Sequence, residues 1–241
     1  MKIGTAGWSF SKELAHEFAG EGSVLERYAK RFPAVEINSS FHRPHRDATW
    51  AKWRNSVPPA FRFSVKLPKT ISHQQKLRDC DELLDEFLGQ LAGLGDKLGV
   101  LLLQLPPKLE YDPAHLKFLI RLSNSAPAPI VCEPRHISWF SDTADQTLQN
   151  LKIGRVAADP ALAPIAARPG GWEGLRYFRL HGSPVIYRSS YADRIDAISN
   201  MVMNDEGSHT ATWCIFDNTA SSAATSDALA LQATIATKTK A

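Results

Sequence analysis

The chain has little of what would tie it to a membrane, a disulfide scaffold or a nucleic acid. Only three cysteines occur, Cys80, Cys132 and Cys214, and none falls in a CxxC or Cys/His finger spacing. A sparse, odd set fits a reducing compartment and argues against both a disulfide framework and a zinc module. No apolar run approaches the roughly 20 residues of a membrane-spanning helix. The start, MKIGTAGWSF, enters a strand-like segment directly, without the apolar stretch and small-residue cleavage site of a signal peptide. Charge of either sign is not in excess: 28 Lys and Arg against 25 Asp and Glu leave +3. That gives no basis for a general nucleic-acid or membrane-surface role. A soluble cytoplasmic protein without a membrane partner is expected, and oligomeric state stays open.

What is present is a repeating pattern. At 241 residues and 44% hydrophobic content, the chain is long enough for one large core. Eight short β-rich apolar runs cover 2–8, 34–40, 62–68, 98–106, 129–136, 152–159, 175–182 and 210–218. Their spacing suits repeated strand–helix units rather than hairpins. Helical patterns fall between most of them, at 11–28, 79–94, 141–151, 190–203 and 219–237. Asp112-Pro113 opens another, with Asp as N-cap and Pro in the first turn. The stretch 160–171, rich in Pro and Gly, reads as a loop in place of a sixth helix. The expected fold is a single (β/α)8 TIM-like barrel over 1–241 with an irregular or missing sixth helix. A doubly wound sheet is the runner-up, but eight parallel strands avoid exposed edges by closing.

One parity of each strand is apolar and should face the helices: Val35 and Ile37; Phe63, Val65 and Leu67; Leu101, Leu103 and Leu105; Ile130 and Cys132; Val156 and Ala158; Phe178 and Leu180; Cys214 and Phe216. The other parity should point inward and turns polar at the C-terminal ends. It offers Glu36, Asn38, Lys66, Gln104, Glu133, Arg135, Asp159, Arg179, His181 and Asp217, with Trp8 capping the first strand.

These strand-end segments resemble one family throughout the chain. The matching stretches are GTAGW from Gly4, VEINSSF from Val35, FRFSVKLP from Phe61, GDKLG from Gly95, QLPP from Gln104, EPRHISW from Glu133, RLHG from Arg179, YRSSY from Tyr187 and FDN from Phe216. Together they are similar to the bacterial DUF72, or YecE-like, proteins. The resemblance implies a TIM-related barrel and no defined activity. The chain departs from the family pattern at His42, where Tyr is usual, at Pro134, where an aromatic is usual, and at Asp217, where Asn is usual.

Two constellations could carry chemistry. Glu133, Asp159, His181 and Asp217 form a carboxylate–imidazole set suited to Mn²⁺, Mg²⁺ or Zn²⁺, though the same carboxylates could simply neutralise neighbouring arginines. Lys66, Arg135, Arg179 and Arg188 instead suggest an anion site. Ser189, Ser190 and the Thr219–Ser222 run would then lie at helix N-termini where barrels often bind phosphate. Trp8, Phe41, Trp139, Tyr187 and Tyr191 are candidate stacking surfaces. The basic loop FHRPHR, with His42, Arg43, His45 and Arg46, could touch nucleic-acid phosphates. His73 and His136 have no partner by spacing, and His16, His115 and His209 read as surface residues.

The primary expectation is an enzyme for a small phosphate- or carboxylate-bearing substrate. Glu36, Lys66, Asp159 and His181 would be the catalytic group. Trp8, Asn38, Gln104, Glu133, Arg135, Arg179, Tyr187, Arg188, Asp217 and Asn218 would line the substrate. Arg179→Ala should then abolish binding and leave the fold intact. A metal-dependent isomerase or phosphodiester hydrolase, a nucleic-acid-binding module and a non-catalytic ion-pair network are the alternatives. Glycoside hydrolysis by Glu36 and Glu133 ranks below an anionic substrate.

Overall fold

Every one of the eight apolar runs becomes a strand, and one becomes two. A computed structural model describes residues 1–204 and 210–240; His209 lies outside the described residues. The strands are β1 (Lys2–Thr5), β2 (Ala34–Ile37), β3 (Arg62–Lys66), β4 (Leu98–Gln104), β5 (Ile130–Glu133), β6 (Ile153–Arg155), β7 (Ala157–Asp159), β8 (Gly170–Gly171), β9 (Leu175–Leu180) and β10 (Ala211–Phe216). They form two sheets, in the orders β1-β10-β9-β7 and β2-β3-β4-β5-β6-β8. All pairings are parallel except that of the two-residue β8 with β6. The molecule is thus a mixed α/β fold built on parallel sheets.

Two places link the sheets. Ala6 bridges to Glu36, and the Gly7 amide donates to the Glu36 carbonyl at 2.8 Å. Gly4 permits this approach, because a Cβ there would sit 2.2 Å from the Ala34 carbonyl oxygen. At the other place, β6 and β7 are separated by Val156 alone, whose amide donates to the Cys132 carbonyl at 2.8 Å.

Helices cover the sheets: α1 (Val24–Ala29), α2 (Ser39–His42), α3 (Asp47–Asn55), α4 (Asp81–Leu91), α5 (Leu116–Ser125), α6 (Asp142–Asn150), α7 (Ile195–Met203) and α8 (Ala223–Lys240). The expected helix at 11–28 is cut short. Gly20 and Gly22 take φ of +109° and +108°, which no right-handed helix can include. Ser23 then restarts the chain as α1 with a capping box to Glu26. Asp112 and Ser141 cap the chain entering α5 and α6, each accepting a backbone N–H. The 160–171 segment holds one 3₁₀ turn (Pro164–Ala167) and β8 rather than an α-helix.

The apolar strand parity packs with the helices. Val35, Phe63, Leu101, Leu103, Cys132, Phe178 and Cys214 share a cluster with Leu84, Leu119, Leu148, Ile198 and Leu231. The opposite parity forms a second cluster of Ala34, Val100, Leu102, Val131, Val156, Tyr177, Trp213 and Ile215. Strands buried on both faces carry apolar residues at both parities, and that overturns one expectation. Val156 lies in this second cluster while Ala157 packs in the first, with the helices. The 153–159 register is therefore one residue out of step with the sequence reading, and every side chain in it swaps faces.

All three cysteines are free and buried. Among the described residues, no helix is long and apolar enough to cross a membrane.

Candidate functional site

The polar parity converges at the C-terminal ends of the strands on Arg179, a fully buried guanidinium. An unpaired charge there would be untenable, and this one is saturated. Its Nε donates to Glu36 Oε2 at 3.1 Å and its Nη2 to Glu36 Oε1 at 2.6 Å. Nη1 reaches Glu133 Oε2 at 2.5 Å and Nη2 also reaches Asp217 Oδ2 at 3.0 Å. Residues from β2, β5, β9 and the end of β10 are thereby bound to one side chain. Tyr177 supports the group from within, donating to Glu36 Oε2 and lying 2.8 Å from Ser64 Oγ.

His181 closes the network. Its Nε2 lies 3.0 Å from Glu133 Oε1 and its Nδ1 3.0 Å from Asp217 Oδ2. With a carboxylate on each ring nitrogen, the doubly protonated form is favoured. Burial opposes that charge most, but the Glu133 charge and the hydrogen bonds to Asp217 and Glu133 together overcome it, and the imidazole titrates above its ordinary value. Burial alone would push the Glu133 carboxyl up; Arg179, His181 and Arg135 together hold it well below the usual range. Asp217 is lowered in the same way, burial being overcome by Arg179 and His181. Gln104 Nε2 donates to Glu133 Oε2 at 3.0 Å, and Arg135 Nε to Glu133 Oε1 at 3.2 Å.

Lys66, at the end of β3, stands apart from this arrangement. The residue is 8% exposed, yet its amine makes no hydrogen bond or ion pair among the described residues. The nitrogen sits 4.0 Å over the centroid of Phe41, a cation–π contact. Burial first, then the nearby Arg179, push its pKa down to about 8, although Glu36, Glu133 and Asp217 pull the other way. His73 meets the same Phe41 ring edge-on at 4.9 Å. Burial, then the charges of Lys66 and Arg135, lower its pKa, so its imidazole is neutral at neutral pH. Arg135 reaches Tyr187 Oη at 3.4 Å, and Tyr187 stands edge-on to His181 at 5.8 Å. Lys66, Phe41, His73, Arg135 and Tyr187 form the open side of the cluster.

The remaining expected residues divide. Asn38 joins at its margin, with Nδ2 3.5 Å from Asp217 Oδ1 and Oδ1 buried without a partner among the described residues. Trp8 packs edge-on against Trp53 at 5.2 Å. Asp159 does not join: on the swapped face it takes two hydrogen bonds from Arg194 and one from Tyr191. Asn218 is fully buried and turned away, its Nδ2 donating to Asp227 Oδ2 at 2.6 Å and to the Ser189 carbonyl. Arg188 is exposed on the adjoining loop. Ser189, Ser190 and Ser221 spend their hydroxyls within this loop region, on the Val185 amide, Asp227 and the Arg188 carbonyl.

Arg179 and Glu36 are corrected as well. The arginine has four hydrogen bonds to protein carboxylates and no surface to offer an anion. Glu36 is sealed, so it cannot hand protons to a ligand. The metal set fails on donors: Asp159 is elsewhere, and both His181 nitrogens already face carboxylates. Among the described residues no three His, Cys, Asp or Glu side chains are grouped to hold a metal ion. Trp139 and Tyr191 are packing residues, both fully buried. His115, expected at the surface, is buried and stacked on Trp139. His45 of the basic loop bonds Ser39 and packs against Trp50 and Trp53, whereas Arg43 and Arg46 are exposed. His73 was passed over because a histidine in the short helical segment Thr70–Gln74 has no partner by spacing to mark it.

Fold and site together define a parallel α/β protein with an ion-paired cluster and one open lysine at its strand ends. The chain belongs to the family DUF72, described as proteins of unknown function, whose pattern matches residues 2–241. It is 33% identical over 175 residues to the UPF0759 protein YecE of Escherichia coli K12, a match spanning 69% of this chain and 61% of that protein. The UPF0759 protein YunF of Bacillus subtilis is 27% identical over 158 residues, 62% of this chain and 56% of YunF. The chain thus matches less than two thirds of the length of these relatives. A crystal structure of a DUF72 family protein from Enterococcus faecalis superposes with a TM-score of 0.81 at 22% identity, covering 98% of this chain and 95% of that one.

Proposed function

We propose that the strands form one closed eight-stranded barrel domain whose C-terminal end binds and processes a small phosphate- or carboxylate-bearing anion. Closure is supported by the Ala6–Glu36 bridge on one side and by the single-residue gap between β6 and β7 on the other. The inner apolar cluster, drawn from β2, β4, β5, β9 and β10, then fills the interior. Charged side chains sit where parallel barrels carry their chemistry.

The observation that carries the anion reading is the unpartnered ammonium of Lys66. The three carboxylates, Glu36, Glu133 and Asp217, are matched by Arg179, Arg135 and the imidazolium of His181. Lys66 is the surplus cation, and it faces the open side. An anion seated there would replace the counter-ion that the protein withholds. Arg135 would supply a second contact, and Tyr187 a hydrogen bond. A desolvated lysine that releases its proton near neutral pH also suits acid–base chemistry. We therefore assign Lys66 a role in turnover as well as docking.

The test is a thermal-shift screen of phosphorylated and carboxylated metabolites, run at low and high salt on wild type, Lys66→Gln and Arg135→Gln. A stabilising anion whose effect vanishes in Lys66→Gln and weakens in Arg135→Gln is expected. Equal shifts in all three proteins would remove the site from the reading. Retention only by oligonucleotides, with a steep salt slope, would move it to nucleic acid.

A further inference from the structure

Lysine is an odd choice for holding an anion in this position. Arginine offers two parallel donors and is less costly to desolvate, and Arg179 already acts on this position. Lys66 also forgoes hydrogen bonds to Glu36, Glu133 and Asp217, the three carboxylates whose charges act on it. What lysine alone adds is a nitrogen that can lose its proton and expose a lone pair.

The surroundings favour that form. Burial and the Arg179 guanidinium both disfavour an ammonium, two recognised ways of activating a lysine nucleophile. Phe41 holds the nitrogen 4.0 Å over its ring. Lys66 ends a central strand, whose backbone is fixed by pairing to β2 and β4 on either side, so the amine is aimed by a rigid element. His73 shares the Phe41 ring and lies within electrostatic reach of Lys66, a neutral imidazole able to take up a proton.

We propose that Lys66 is a Schiff-base lysine: its amine condenses with the carbonyl carbon of a small aldehyde or ketone that also bears a phosphate or carboxylate. The neutral amine forms the C–N bond as the carbonyl electron pair moves to oxygen, which takes a proton. The carbinolamine nitrogen gives a proton to His73. The hydroxyl leaves as water with one further proton, and the nitrogen lone pair forms the C=N bond. His73 returns its proton to that leaving hydroxyl, and the proton taken up by the carbonyl oxygen comes from solvent. Amine, carbonyl and one solvent proton thus become an iminium ion and water, with no oxidant or reductant required. Arg135 would hold the anionic group, and the iminium would serve as the electron sink for bond changes next to it.

This inference rests on the anion reading, and one experiment separates the two. Intact wild-type protein is mixed with pyruvate, dihydroxyacetone phosphate or pyridoxal 5′-phosphate, each with and without sodium borohydride, and analysed by intact mass and peptide mapping. Inorganic phosphate binding is measured in parallel by calorimetry. The expected result is a reduction-dependent adduct concentrated on Lys66, at least tenfold above any surface lysine and suppressed by excess phosphate. Lys66→Arg should lose the adduct while retaining phosphate binding. Phosphate binding without a Lys66 adduct would overturn the Schiff base and leave the anion site standing. Neither binding nor adduct would overturn both.

Discussion

Arg179 and Lys66 are both buried cations at the same end of the strands, and they have been treated in opposite ways. Arg179 is wholly enclosed and donates to Glu36, Glu133 and Asp217. Lys66 is nearly as buried, yet among the described residues its amine has no hydrogen bond or ion pair and rests over the Phe41 ring. Saturating a buried charge makes it a strut that binds strands together. Leaving one unsaturated stores an electrostatic deficit that a ligand can fill. Identity of charge therefore says little about role; the state of the hydrogen-bonding inventory says much more.

The contrast can be broken at several points. Arg179→Met strands three buried carboxylates and should destabilise the protein by about 3–5 kcal/mol, the cost of leaving a buried charge unpaired. Urea denaturation would show it as a large fall in midpoint or failure to fold; a variant of wild-type stability that loses only anion binding would make Arg179 a ligand residue after all. Lys66→Met should do the reverse, raising stability at neutral pH by ~2 kcal/mol because a disfavoured charge is removed, while anion binding disappears.

Titration sharpens the same comparison. Lys66 keeps its proton less tightly folded, at about 8, than in an unfolded chain. Its penalty is therefore present below about 8 and relieved as pH rises toward the unfolded value. The stability gap between Lys66→Met and wild type should close over that window. His181 has the opposite sign: its pKa is raised by folding, so its contribution is full below the ordinary imidazole value and lost as pH climbs through the folded one. His181→Gln should flatten that decline, and an unchanged pH profile would deny the imidazolium its place. Smallest of all, Arg194→Ala breaks a partly exposed pair with Asp159 and should cost less than ~1 kcal/mol without altering anion binding. A loss of binding there would return Asp159 to the site.

Much of this was legible in the sequence. The eight apolar runs each marked a strand, though the run at 152–159 splits into two and β8 lies in the stretch read as a loop. Asp112-Pro113 and Ser141 marked helix starts that the structure keeps. Glu133, Arg135, Arg179, His181 and Asp217 were placed on one polar parity, and they do meet. The 153–159 segment misled because Gly154, Val156 and Ala158 are as apolar as Ile153 and Ala157, so alternation could not tell the faces apart; Asp159 was misplaced with it. Helix α3 was hidden because Asp47–Asn55 has only Trp50 and Trp53 as large apolar residues and an N-cap without a side-chain bond. Which cations are spent and which are open could not be read at all, since it depends on distances between strands far apart in the chain.

The most direct test is to follow the Lys66 amine itself, by NMR of protein with isotope-labelled lysine side chains, titrated with and without inorganic phosphate. The account predicts a free-state value near 8 that moves upward when phosphate supplies the missing counter-charge. An ordinary lysine value, or one that phosphate leaves unmoved, would contradict it.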